Sequence, residues 1–125
     1  MYQLIIMNLE WHGRFSFNKE KVTSLVADVG GNYMISVKLK NENFRSIYVG
    51  KTEQLKTRLL EHLSDGEKNS CLRKNVKEFV LEFRFCHVSS AVDRSNVEHT
   101  LHHKYPHECN EVEPEGKIID ITAPY

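Results

Sequence analysis

Six side chains in this sequence have types and spacing that could do chemistry together: Tyr33, Tyr48, Lys51, Arg58, His62 and Glu98. Arg58 carries a planar fork of donors that matches phosphate oxygens in a way a lysine ammonium cannot. A single carboxylate such as Glu98 suits Mg2+, which keeps several waters and takes only one or two protein carboxylates beside phosphate oxygens. A free phenol titrates near 10, so a tyrosine such as Tyr48 can act as a base only beside positive charge. Lys51, three residues on, is the expected source of that charge. Each residue alone also has an ordinary reading. Tyr33 and Tyr48 would be sheet residues, Arg58 and His62 a solvated helix edge, and Glu98 a surface acid.

Their joint order along the chain changes that reading. Gly31-Asn32-Tyr33, Tyr48-Val49-Gly50-Lys51, Leu55-Lys56-x-Arg58 and then His62 one helical turn later form an ordered set. Glu98 and Asn110 follow, with the pair Tyr105-Pro106 between them. The set resembles the GIY-YIG nuclease domain. The placing of Lys51 and Arg58 after Tyr48 is most like the N-terminal nuclease domain of the bacterial excision-repair incision subunit. The resemblance covers residues 30–110 and departs from the family at Asn32, where an aliphatic residue is usual. If the Asn32 amide points into the sheet, it needs hydrogen-bond partners.

The resemblance implies a metal-dependent endonuclease acting on DNA, with Mg2+ or Mn2+ as cofactor. It implies catalytic roles for Tyr33, Tyr48, Lys51, Arg58, His62, Glu98 and Asn110, with Glu98 as metal ligand. Hydrolysing a phosphodiester needs an activated water, a counter-charge for the phosphorane and help for the departing 3′-oxygen. Tyr48 would be the base, Tyr33 would hydrogen-bond the same water or phosphate, and Arg58 and the metal would supply the charge. DNA repair is one role the family fills. Specificity would come from the flanks, a homo-oligomer or a protein partner. The rival readings are a non-catalytic nucleic-acid-binding or adaptor module of the same fold, and a zinc-dependent hydrolase built on histidines.

Those histidines are His99, His102, His103 and His107, with Glu108 and Cys109 close by. Glu98 and His102 are an i,i+4 pair, as are His99 and His103, a spacing that can share one ion. A zinc site needs three or four converging ligands, and the spacing His-Glu-x-x-His is absent. The expected reading is a polar helix face, with His102 one turn beyond Glu98.

Charge is the next guide. Net charge is zero, which excludes a strongly cationic nucleic-acid coat. Yet residues 31–77 hold ten Lys/Arg against five acids, and residues 108–125 hold five acids and one lysine. A basic middle beside an acidic tail permits one phosphate-binding face, and Lys38, Lys51, Lys56, Arg58, Arg73 and Lys74 are the expected DNA contacts.

The elements that must position these residues follow from periodicity. Asn18 reads as the cap of a short helix reaching Val26, after a short strand at Tyr2–Met7. Alternation from Tyr33 to Leu39, a polar turn over 40–43 and a second β-rich run over Phe44–Val49 predict an antiparallel hairpin that Gly50 ends. Thr52 is the expected cap of a helix over Glu53–Leu63 with Leu55, Leu59 and Leu63 as its stripe. A weak helix over Glu67–Val76, a strand over Phe79–Cys86 and a helix over Ala91–Tyr105 come next. The tail is a loop with one edge strand at Lys117–Ile121. The order ββααβα predicts an α+β fold, a small antiparallel sheet of about three strands flanked by helices.

With 125 residues, 40% of them hydrophobic and a mean hydropathy of −0.49, the expectation is one domain spanning 1–125, with no membrane association. The three cysteines, odd in number and without a Cys-x-x-Cys, read as reduced thiols in a cytoplasmic protein.

Overall fold

The computed structural model describes residues 6–124. Its elements are β1 (Ile6–Met7), β2 (His12–Ser16), α1 (Lys19–Leu25), β3 (Gly31–Lys38), β4 (Phe44–Thr52), α2 (Leu55–Leu63), α3 (Ser70–Glu78), β5 (Leu81–His87), α4 (Ala91–Lys104) and β6 (Asp120–Ile121). Four strands form one antiparallel sheet in the order β2-β5-β3-β4. The α+β architecture agrees with expectation. The fourth strand, β2, does not follow from the sequence pattern. His12-Gly13-Arg14-Phe15-Ser16 has no clean alternation, and its pairing with β5 shifts register between Gly13 and Phe15. β6 is not an edge of this sheet, because it pairs in parallel with β1 in a separate two-stranded ribbon. Most of the expected strand at Tyr2–Met7 lies outside the described residues.

Helices cover both faces of the sheet. On one side Val22, Val26, Leu55, Leu59 and Leu72 pack on Tyr33, Ile35, Ile47, Phe83 and Phe85. On the other, Val97 and Leu101 of α4 pack with Leu9, Met34, Val49 and Cys86. β3 is therefore buried on both faces, not half-buried, and Asn32, Met34 and Ser36 lie inside together with Tyr33 and Ile35. Half of the Asn32 amide finds its partners: Nδ2 donates to the carbonyls of Gly50 (3.2 Å) and Arg94 (3.0 Å), while the buried Oδ1 accepts no hydrogen bond from the described residues.

The helix starts correct two expectations. Asn18 does cap α1, its Oδ1 accepting from the Lys21 N–H. Thr52, however, does not cap α2. The strand β4 runs through Gly50 to Thr52, and α2 begins only at Leu55. Its exposed amides are met from outside by Asp28, which accepts from the Thr57 N–H (2.9 Å) and the Thr57 hydroxyl (2.8 Å). Those bonds, the backbone one first, hold the Asp28 carboxyl below its usual range, as a carboxylate at a helix N-terminus favours its charged form. α3 starts later than expected, at Ser70, under the side-chain cap of Asn69.

The cysteines correct a third expectation. Cys71 on α3 and Cys109 after α4 form a disulfide, so these two are not reduced thiols. Sequence separation hides the pair, while the fold brings the two Cα atoms to 5.2 Å, inside the range a bridge requires. Cys86 stays free and buried, and burial pushes its thiol up to about 12. No helix among the described residues is long and apolar enough to cross a membrane.

Candidate active site

β4, α2 and α4 converge on one cleft of about 510 Å³, lined by Tyr48 and Lys51, by Arg58, and by Glu98. Lys68, Asn69 and Asn110 complete the wall, and the acidic segment Glu111–Glu115 forms the rim. Three elements thus bring together four of the residues that the sequence singles out. Tyr33 and His62 sit behind the wall: each is about 1% exposed.

The buried layer is a chain of hydrogen bonds. The Tyr33 hydroxyl lies 2.7 Å from His62 Nε2, and His62 Nδ1 lies 2.6 Å from a Glu67 carboxylate oxygen. The other Glu67 oxygen accepts from the Asn69 N–H at 2.8 Å. Breaking one of these bonds would leave a buried group unpaired, at about 1–3 kcal/mol. Burial and the nearby Arg58 charge lower the His62 pKa, with Glu67 opposing them, so the ring is neutral near pH 7. Glu67 ends below its usual range because the Asn69 N–H and His62 outweigh the cost of its burial. Tyr33 and Tyr48 stack with ring centroids 6.0 Å apart. Burial raises both phenols, Tyr33 far more than Tyr48.

The charges differ in arrangement from the sequence expectation. The cation that opposes the rise at Tyr48 is Arg58, whereas Lys51 donates from Nζ to the Ser95 hydroxyl at 2.8 Å and faces Glu98. Burial raises the Glu98 pKa, and the Lys51 charge and backbone N–H pull it back. Arg58 itself is held on one side by Glu61 at 2.9 Å, leaving the rest of its fork at the cleft. Asn110 spends its amide on the backbone of β4: Oδ1 accepts from the Val49 N–H (3.0 Å) and Nδ2 donates to the Val49 carbonyl (2.9 Å). It fixes the strand that carries Tyr48.

The expected DNA contacts divide. Lys51 and Arg58 line the cleft; Lys38, Lys56, Arg73 and Lys74 do not. Lys38 lies at the far end of β3, five residues and roughly 17 Å from Tyr33. Arg73 donates to the Glu67 carbonyl at 2.7 Å and so buttresses the turn before α3. Among the residues that sequence reasoning missed, Lys68 faces the cleft and Glu67 holds His62. Their signal was the Asp65-Gly66 turn, which folds the chain back onto the end of α2.

The histidines of α4 have other partners. His99 Nδ1 meets the Pro114 carbonyl at 2.8 Å, and the His102 and His107 rings lie with centroids 3.5 Å apart. Among the described residues no three His, Cys, Asp or Glu side chains converge in a way that could hold an ion.

Neither a curated protein nor a solved structure matches the chain. A family model does match: that of the GIY-YIG catalytic domain, over residues 29–114, which holds every residue of the cleft wall just described. With most of its length inside that match, the chain belongs to the GIY-YIG catalytic domain family, a family of nucleases.

Proposed function

We propose that the chain is a metal-dependent endonuclease that hydrolyses phosphodiester bonds of DNA in this cleft. The observation that carries the reading is the convergence of Tyr48, Lys51, Arg58 and Glu98, from three elements, on one open space. Glu98 fits a hard divalent ion such as Mg2+ (or Mn2+). It is the one carboxylate that β4, α2 and α4 bring to the cleft, its burial disfavours its charge, and the cleft leaves room for the waters and phosphate oxygens such an ion keeps. When bound, the ion would polarise the phosphoryl group and stabilise the leaving 3′-oxygen. Arg58 would bind non-bridging phosphate oxygens with the free part of its fork. Tyr48, the phenol that lines the cleft, would accept the proton of the attacking water, with Arg58 favouring its phenolate. Lys51 would orient Glu98.

The test is Glu98→Gln, which keeps the side-chain shape and loses the charge. Divalent-dependent nicking of plasmid DNA should vanish while the fold and DNA binding persist. Undiminished nicking by the folded variant would refute the assignment. DNA binding by the unaltered protein with no cleavage in Mg2+, Mn2+ or Zn2+ would favour an adaptor instead.

A further inference from the structure

We propose that Cys71–Cys109 is a thiol–disulfide exchange site, open to a dithiol reductant, whose state sets how firmly two walls of the cleft are held together. Its effect on cleavage rests on the nuclease reading above, while the exchange itself does not.

The bridge lies directly behind the cleft. Cys71 is the second residue of α3 and follows the wall residues Lys68 and Asn69, and Cys109 immediately precedes Asn110 and the acidic rim. Beside the bridge, the Asn69 side chain donates from Nδ2 to the Cys109 carbonyl at 2.7 Å. The Cys109 N–H donates to the Ile47 carbonyl of β4 at 2.8 Å. Asn110 then grips Val49, the neighbour of Tyr48. The disulfide is thus a covalent tie between α3 and the segment that steadies the Tyr48 strand. Cys109 belongs to the same buried cluster as Ile47 and Leu72, and Cys71 packs against that cluster. Two thiols need more room than one bonded pair, and close-packed neighbours pass such a displacement on. Reduction therefore parts α3 from the 109–110 segment and loosens the Asn110 grip on Val49.

The two sulfurs differ in role. Cys71 is half-buried and Cys109 is 1% exposed, so an incoming thiolate meets Cys71 and Cys109 leaves. The departing charge has a donor, because Asn75 Nδ2 lies 3.6 Å from Cys109 Sγ and 3.7 Å from Cys71 Sγ. Cys71 stands in the first turn of α3, where the aligned amides favour a negative sulfur. The exchange balances with the reductant alone. One of its thiolates bonds to Cys71 Sγ as the Cys71–Cys109 bond breaks, and the electron pair leaves on Cys109, which takes up a proton. Its second thiolate attacks the first and releases Cys71 as a thiolate, protonated in turn. The reductant ends as a disulfide and the protein as two thiols.

The test reads the bridge, the strand and the chemistry separately in the unaltered protein. Dithiothreitol under native conditions should open the bridge, seen as alkylation of Cys71 and Cys109, while the far-UV circular dichroism is kept. The Val49 amide, bonded to Asn110 Oδ1, should then exchange with solvent deuterium about 10-fold faster or more. Divalent-dependent nicking of plasmid DNA should fall about 10-fold or more, as for a small misplacement of groups at the cleft. Reoxidation should restore both. Cys71→Ser/Cys109→Ser should match the reduced protein and ignore dithiothreitol, which separates the bridge from any other effect of the reagent. A bridge that dithiothreitol opens only when the fold is lost overturns the proposal. So does a folded, reduced protein whose Val49 exchange, or whose nicking, equals that of the bridged form. Faster Val49 exchange on reduction, with no DNA cut by either form in Mg2+ or Mn2+, refutes the nuclease reading and leaves the exchange site standing.

Discussion

Gly50 carries a demand that no other residue can meet. It sits in β4 directly opposite Tyr33 in β3, and the Tyr33 ring lies across it. A Cβ added at Gly50 would fall 2.3 Å from the ring Cζ, 2.5 Å from the hydroxyl oxygen and 2.7 Å from Cε1. All three distances are well inside contact. The ring cannot swing away freely, being 1% exposed and tied to His62 at 2.7 Å. Gly50→Ala should therefore cost about 1–3 kcal/mol for overpacking. It should cost about 1–3 kcal/mol more for the hydrogen bond broken as the hydroxyl leaves His62.

The sum, centred on about 4 kcal/mol, is a large part of the ~5–15 kcal/mol that holds a domain of this size together. Urea denaturation followed by the fluorescence of Trp11, the only tryptophan in the chain, should show the midpoint falling by about 2 M. The decisive control repeats the change in a Tyr33→Leu background, where all three offending atoms are gone. There Gly50→Ala should cost about 1 kcal/mol or less, giving a coupling of at least about 2 kcal/mol between two residues in contact. Equal costs in both backgrounds, or a Gly50→Ala protein as stable and active as the parent, would refute the reasoning.

Further outcomes follow from the cleft and the bridge. Arg58→Lys should lower cleavage about 100-fold or more, since a point charge cannot replace a fork already committed on one side to Glu61; full activity would show that charge alone suffices. Lys68→Ala should make the salt dependence of DNA binding shallower by about 0.9 in log K against log salt, the loss of one phosphate contact, and Lys74→Ala should leave it unchanged; the reverse ranking would move the binding face to α3. Replacing both Cys71 and Cys109 by serine opens a loop of sequence separation 38 and should cost up to about 4 kcal/mol in the chain-entropy account; a thermal midpoint equal to the parent's would show that the bridge contributes nothing.

What could be read in the sequence was whatever depends on neighbours in the chain. The β3–β4 hairpin, the Leu55-Leu59 stripe and the Asn18 cap each declare themselves within a few residues. Gly50 was misread because glycine within a β run ordinarily marks a break, while here its missing Cβ makes room for a ring on the next strand. β2 escaped because its five residues owe their extended form to pairing with β5 rather than to their own alternation. The Cys71–Cys109 bridge and the Asp28 cap on α2 join segments far apart, and nothing local announces either. The site was legible as a list but not as roles. Motif order finds Tyr48, Arg58 and Glu98, but only the fold shows that Lys51 faces Glu98, that Asn110 grips Val49 and that Glu67 stands behind His62.

The fourth strand has a consequence for handling the protein. β2 lies before residue 29, so an excised 29–114 segment would leave one long side of β5 with unpaired backbone amides and carbonyls. Phe83 and Phe85, now covered by Phe15 and Phe17, would lie bare beside them. An unpaired strand edge beside exposed aromatic rings is a template for pairing with another copy. Such a piece would collect into aggregates, however complete its set of catalytic side chains, so the catalytic segment depends on its N-terminal flank to keep that edge covered.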